Sequence, residues 1–232
     1  MIGWISAAVV VALVAVGAIA YAQLQGNVTT APIRSDDGES EPELATGDLN
    51  ILLLGSDSRA LESDGFGEDD GTERSDAMVI AHISSDNTRI DAVQLPRDTL
   101  GDLPACDDNG RGSYDGGFGM LNSALQYGPA CSVAAVEQLT GMTIDHFVQM
   151  DFEGFIGMVD AMGGIDVCLP EPLQDGHARL DLPAGAQSIN GDQALALART
   201  RHALAEESDI ARLGHQQMVL SAIVQKLSLI HI

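Results

Sequence analysis

The residues best suited to chemistry stand where apolar runs stop. Ser56-Asp57-Ser58-Arg59 follows the run Asn50 to Gly55, Arg74-Ser75-Asp76 precedes the run Ala77 to Ile83, and Pro96-Arg97-Asp98-Thr99 follows Ile90 to Leu95. If the runs are strands of a layered α/β fold, their ends gather at one rim, which is where ligand sites form. Asp57 and Asp76 could then share one hard cation such as Mg2+, an ion that takes one or two carboxylates together with phosphate oxygens. Taken alone, each aspartate reads first as a turn former or a helix cap. A second cluster holds Arg199-Thr200-Arg201-His202, then Arg212 and Gln216, which are four residues apart and share a face if that stretch is helical. Guanidinium groups present a planar fork of donors that suits paired phosphate oxygens, so several arginines beside a divalent cation would make a pyrophosphate site. The competing reading pairs Arg199 and Arg201 with carboxylates, of which the chain has an excess.

That excess is large. The 232 residues carry 34 acidic side chains against 11 basic ones, for a formal charge of -23. Such a surface repels nucleic acid, so a DNA- or RNA-binding role is excluded as a first reading. Of the basic residues only Lys226 is a lysine, and many of the arginines fall in the short motifs above. Three cysteines, Cys106, Cys131 and Cys168, show no CxxC spacing of the kind zinc and redox sites use. In an exported domain they read as one disulfide and one leftover thiol. Cys106 with Cys131 is the preferred pair because the two bracket a Gly-rich loop, although three pairings are open to the sequence.

The elements that must position these groups alternate in type. Asn50 to Gly55 is a short continuous apolar run, as expected of a strand buried on both faces, and strands follow at Ala77 to Ile83 and Ile90 to Leu95. Between the first two, Glu62 to Glu73 reads as a surface loop. Helices are expected near Leu121 to Gln126 and Ser132 to Leu139, a strand at His146 to Met150, and a helix from Phe152 to Met162 ended by Gly163-Gly164. A strand at Ile165 to Leu169 comes next. Asn190 and Gln193 have the spacing of a capping box for a helix running to about Arg201, and a last helix is expected over Ile210 to Lys226. The order points to an α/β fold, an α-β-α sandwich around a central mixed sheet. The apolar stripe Phe152, Phe155, Ile156, Val159 and Met162 reads as ordinary core before it reads as a lipid contact.

Residues 1–22 carry no charged side chain and are long enough as a helix to cross a hydrocarbon layer of about 30 Å. The run exceeds a typical signal-peptide core, although Ala20-Tyr21-Ala22 has the form of a cleavage site, so a single transmembrane anchor is expected. Residues 23–48 turn polar and acidic and read as an extended stalk. Residues 49–232 are then one catalytic domain.

In order and in local wording, these stretches resemble the LytR-CpsA-Psr family. The resemblance rests on Asn50 through Arg59, Arg74-Ser75-Asp76, Pro96-Arg97-Asp98-Thr99, Leu121-Asn122-Ser123-Ala124, Gly163 through Val167, Asn190 through Leu195, Arg199-Thr200-Arg201-His202, and Asp209 through Arg212 with Gln216-Gln217. It implies a single-pass cell-membrane protein with its domain outside the cytoplasm. It also implies Mg2+-assisted transfer of an anionic glycopolymer from a polyprenyl-pyrophosphate carrier to peptidoglycan. Under the resemblance, Asp57 and Asp76 are the cation ligands, and Arg97 with Asp98 is the catalytic pair. Arg59, Arg97, Asn122, Arg199, Arg201, Arg212 and Gln216 then contact the pyrophosphate. Asp98 either orients Arg97 or accepts a proton from the attacking hydroxyl. Two positions depart from the family pattern: Met120 stands where a lysine is common, and His215 where an arginine often precedes the glutamine pair. Family domains usually continue past the last helix, so a domain truncated at its C-terminus is expected. Two alternatives remain open, a lipid-pyrophosphate hydrolase and a non-catalytic polyprenyl-phosphate-binding attenuator.

Overall fold

The computed structural model describes residues 29–33, 47–56, 73–176, 178–200 and 209–230. The chain divides into two compact units, Met1–Gly38 and Glu39–Ile232. The expected anchor lies outside the described residues, as does most of the expected stalk. Among the described residues, no helix is long and apolar enough to cross a membrane.

The second unit is built on a four-stranded sheet of β1 (Leu49–Ser56), β2 (Ser75–Ile83), β3 (Ile90–Leu95) and β6 (His146–Met150), in the order β3-β2-β1-β6. The sheet is mixed because its connections differ in length. β2 and β3 are joined by a tight turn and pair antiparallel. In that turn the Asp86 carboxylate accepts from the Ser84 hydroxyl at 2.6 Å and the Thr88 amide at 3.1 Å, while Asn87 takes a left-handed φ of 54°. β6 pairs parallel with β1, which requires a long crossover. The crossover contains a short ribbon of β4 (Leu100–Leu103) and β5 (Gly117–Met120), a 3-10 helix (Leu121–Tyr127) and α1 (Pro129–Thr140). Where the sequence suggested a plain Gly-rich loop followed by an α-helix, the chain forms this ribbon and a 3-10 turn. The expected disulfide is present: Cys106 is bonded to Cys131, and Cys168 is free and exposed.

Period-two alternation gives the sheet two faces with different surroundings. Leu52, Leu54, Met78 and Ile80 are almost fully buried, as are Leu125, Val133 and Val136 in the crossover layer, whose 3-10 helix touches β2 and whose α1 touches β6. Behind the other face stand α2 (Phe152–Ala161), α3 (Gly191–Arg199) and α4 (Asp209–Ile230), with the hairpin-like pairs β7 (Ile165–Leu169) with β10 (Gly185–Ile189) and β8 (Leu173–Asp175) with β9 (Leu180–Leu182). These elements share a core of their own, in which Val159, Ile165, Leu197, Val219 and Ile223 meet. Mixed α/β layering around a mixed sheet was expected. The ribbon and the strands β8 and β10 were not.

Local chemistry fixes the helix ends. The Asp151 side chain accepts from the Gly154 amide at 2.8 Å and starts α2. Asn190 and Gln193 close the expected capping box, with the Asn190 carboxamide accepting from the Gln193 amide at 2.9 Å and the Gln193 side chain accepting from the Asn190 amide at 3.2 Å. The helix ends at Arg199, two residues earlier than expected, because Thr200 is extended. Gly191 opens α3 where it crosses α2, and its amide donates to the Asp160 carboxylate at 2.8 Å. A Cβ at Gly191 would lie 2.4 Å from the Ile156 carbonyl oxygen, a backbone atom that cannot rotate away. Gly191→Ala should therefore destabilise the domain by about 2 kcal/mol or more, measured as a shift in urea midpoint at unchanged slope.

His215, on the inner side of α4, is buried with little compensation. Burial pushes its imidazole below the ordinary histidine value, and contact with the Thr200 backbone only partly offsets this. The folded state thus binds fewer protons than the unfolded chain, and stability that is complete above the unfolded value of about 6.5 is lost as the pH falls below it. His215→Gln should flatten that part of the stability profile between about pH 7 and 5, as read by thermal melts across the range, and leave the remaining acid dependence in place.

Candidate functional site

A cavity of about 310 Å³ lies between the second sheet face and the helical layer. Its walls are apolar: Leu53, Val79 and Val148 come from the sheet, Phe155 and Met158 from α2, and Val219, Leu220 and Ile223 from α4. The stripe on α2 therefore does two jobs, since Val159 is core while Phe152, Phe155 and Met158 line the cavity. Polar groups collect where the strand ends reach it, namely Ser56, Asp76, Gln94, Asp151, Arg199 and Gln216. Apolar walls leading to a small polar mouth suit an amphiphile with a long tail and a charged head.

Of the site residues expected from sequence, Asp76, Arg199 and Gln216 line this mouth, and Arg97, Asp98 and Asn122 connect to it through Asp76. Asp76, at the start of β2, pairs through Oδ1 with the Arg97 guanidinium. Arg97 sits in the turn after β3, and its Nε lies 3.5 Å from the Asp98 carboxylate. Asp98 Oδ1 also accepts from the Asn122 side-chain amide at 3.2 Å, and the Asn122 backbone amide donates to the Arg97 carbonyl at 3.0 Å. Arg97, Asp98 and Asn122 are thus one hydrogen-bonded group, with Asn122 buried and Arg97 largely so. Among the described residues, the buried Arg97 Nε makes no hydrogen bond. The Asp98 carboxylate at 3.5 Å offsets part of the cost of burying this charged donor.

Arg199, the last residue of α3, lies over the Phe152 ring with its guanidinium carbon 4.5 Å from the centroid. This cation–π contact holds the side chain at the mouth. Gln216 on α4 donates weakly to the carbonyls of Asp76 and Ala198, at 3.5 and 3.4 Å, and accepts from the Gln94 side chain. Arg212 is buried one turn before it. Asp57, Arg59 and Arg201 lie outside the described residues, so the expected convergence of Asp57 with Asp76 is not described.

Gln94 and Phe152 were missed from sequence. A signal for Gln94 was available, because it is a polar residue in β3 opposite Val79, on the face that lines the cavity. No comparable signal marked Phe152, whose role depends on where α3 ends.

Among the described residues, no group of three carboxylate, histidine or cysteine side chains forms a cage for a metal. Asp76 does place a hard carboxylate oxygen at the mouth. Mg2+ keeps several waters and needs only one or two carboxylates plus substrate phosphates, and of such ligands the described residues offer it Asp76, whose Oδ1 also pairs with Arg97.

A family model described as the LytR_cpsA_psr family matches residues 17–231. The chain is 34% identical over 188 residues to the probable cell wall biosynthesis protein LcpB of Corynebacterium glutamicum, covering 77% of this chain and 42% of that one. It is 32% identical over 200 residues to the polyisoprenyl-teichoic acid–peptidoglycan teichoic acid transferase TagU of Bacillus anthracis, covering 84% of this chain and 59% of that one. Among solved structures, protein gbs0355 of Streptococcus agalactiae matches with a TM-score of 0.66 at 26% identity, covering 81% of this chain and 63% of that one. The chain spans about half the length of the curated relatives it matches. With a family model matching residues 17–231 and relatives above 30% identity over more than three quarters of its length, the chain belongs to the LytR-CpsA-Psr family.

Proposed function

We propose that this protein is a membrane-anchored phosphotransferase that moves an anionic glycopolymer from a polyprenyl-pyrophosphate carrier to peptidoglycan outside the cytoplasm. The observation that supports the reading is an apolar cavity whose mouth is lined by Arg199 and by Asp76, the ion-pair partner of Arg97, so that two guanidinium groups stand beside a site for an apolar tail. The name of the TagU relative, a transferase acting on a polyisoprenyl-linked polymer, supports the same substrate class. The polyprenyl tail lies along Leu53, Val79, Phe155 and Ile223, and the pyrophosphate rests against Arg97 and Arg199.

In the reaction, a peptidoglycan hydroxyl oxygen attacks the sugar-linked phosphorus. The bond from that phosphorus to the bridging oxygen breaks, polyprenyl phosphate leaves with the electron pair, and the hydroxyl proton passes to solvent or base. Arg97 and Arg199 neutralise charge on the transferring group, which is where positioning and electrostatics do most of the catalysis in phosphoryl transfer. Asp98, held by Asn122 and beside Arg97 Nε, is assigned the orienting role and not that of proton acceptor. Asp76, with Asp57, would hold Mg2+, which when bound supplies further neutralisation of the phosphate oxygens. The expected anchor over residues 1–22 keeps the site beside its lipid donor.

The test is incubation with a lipid-pyrophosphate glycan and Mg2+, with and without peptidoglycan. Acceptor-dependent attachment of glycan is expected, with Arg97→Ala and Arg199→Ala each lowering kcat/KM about 100-fold when assayed well below each variant's melting temperature. Asp76→Asn should weaken the Mg2+ dependence of geranylgeranyl pyrophosphate binding, read by calorimetry. Equal phosphate release without acceptor would instead identify a hydrolase, and tight lipid retention without turnover would identify an attenuator.

A further inference from the structure

One carboxylate outside the phosphate-binding group ties the rim together. Glu73 lies three residues before Asp76, and its side chain is only 17% exposed. Its Oε1 accepts from the Ser56 hydroxyl at 2.5 Å and from the Gln149 side-chain amide at 2.6 Å, and its Oε2 pairs with the Arg111 guanidinium. Ser56 ends β1, Gln149 is the penultimate residue of β6, and Glu73 leads into β2. Three strand ends that border the cavity mouth thus converge on a single anion. Ser56 and Asp76 themselves line the cavity, as does Met150 beside Gln149.

Arg111 does not come from the sheet. It rides on the loop between β4 and β5, which is fixed independently at several points. The Cys106–Cys131 bond ties the start of the loop to α1. Cys106 and Tyr114 exchange backbone hydrogen bonds of 2.7 and 2.9 Å, and the Tyr114 ring stacks on Tyr127 at a centroid distance of 4.8 Å. The Asp108 carboxylate accepts from the amides of Gly110 and Gly112 at 2.8 and 2.9 Å. The loop therefore delivers one guanidinium to one carboxylate at a defined place.

An ordinary structural ion pair would affect stability alone. This one stands beside a rim that, on the reading above, must receive a pyrophosphate, and an uncompensated Glu73 there would repel it. We propose that Glu73 is a positioning residue for the phosphate-binding rim, and that Arg111, held by the disulfide-closed loop, neutralises it so that the rim accepts an anion. The inference rests on the assignment of the cavity mouth to a pyrophosphate. Ser56 and Gln149 donate to Glu73 in either case; what Arg111 adds is charge.

The experiment measures binding of geranylgeranyl pyrophosphate and of uncharged geranylgeraniol to the whole chain, well below each variant's melting temperature. Arg111→Met should weaken the pyrophosphate about tenfold and leave the alcohol unchanged, whereas Arg111→Lys should keep most of the affinity. Adding Glu73→Gln to Arg111→Met should recover part of the loss by removing the unpaired charge. Breaking the disulfide, by reduction or by Cys106→Ser with Cys131→Ser, should weaken the pyrophosphate in the parent chain and have no further effect once Arg111 is Met. Equal loss for alcohol and pyrophosphate, unchanged pyrophosphate binding in Arg111→Met, or full additivity with the broken disulfide would each overturn the inference. If the parent chain binds neither ligand, the pyrophosphate reading itself fails and the inference falls with it.

Discussion

The helices and the strands β7 to β10 behind the sheet close a core among themselves. Val159, Ile165, Leu197, Val219 and Ile223 bury one another without drawing on the sheet, so the sheet's second face is not needed to complete that core. In a closely packed layered protein, side chains from facing layers would interdigitate and leave few voids larger than a water molecule. Here they do not, and Leu53, Val79 and Val148 border open volume instead. The cavity is thus a consequence of two cores that are each sufficient alone. The opposite face shows the ordinary outcome, where Leu52, Leu54, Met78 and Ile80 are sealed beneath the crossover layer.

Charge is distributed to match. A chain of net charge -23 would hold the proposed pyrophosphate poorly unless cations were concentrated at its site. The arginines at the mouth are held in three different ways: Arg97 by Asp76 and the Asp98–Asn122 pair, Arg199 by the face of Phe152, and Arg111 by Glu73. Each arrangement fixes the side chain before a ligand arrives, which reduces the entropy lost on binding.

Much of this was legible in the sequence because the signals were local. Continuous apolar runs marked β1 to β3, Asn190 and Gln193 marked the cap of α3, and the clustering of polar residues at strand ends marked the rim. The grouping of Asp76, Arg97, Asp98 and Asn122 also follows from strand ends lying side by side. What escaped depended on long-range geometry. The β4–β5 ribbon is made of short, Gly-rich segments whose pairing comes from closure of the loop, not from propensity. The stacking of Arg199 on Phe152 joins residues 47 positions apart across two helices. Glu73 sat at the edge of an acidic loop and looked like one more solvated carboxylate; its burial arises only when β1, β2 and β6 come together.

The parallel pairing of β1 with β6 also bears on how the chain acquires its shape. Asn50 donates to Asp145 across 95 residues, and the ladder from Ile51–His146 to Gly55–Met150 follows from there. β1, β2 and β3 can form an antiparallel meander as soon as they are synthesised, whereas one side of β1 stays an open edge until the ribbon, the 3-10 helix and α1 have all been added. Such non-local pairing slows folding, and an unpaired apolar edge is the usual template for wrong pairing while it waits. The Cys106–Cys131 bond closes within that interval of chain, shortening the excursion β6 must make before it can dock. In chain order, then, the strap around the ribbon precedes the strand that completes the sheet, so a bond closed early would shorten the time for which β1 is exposed.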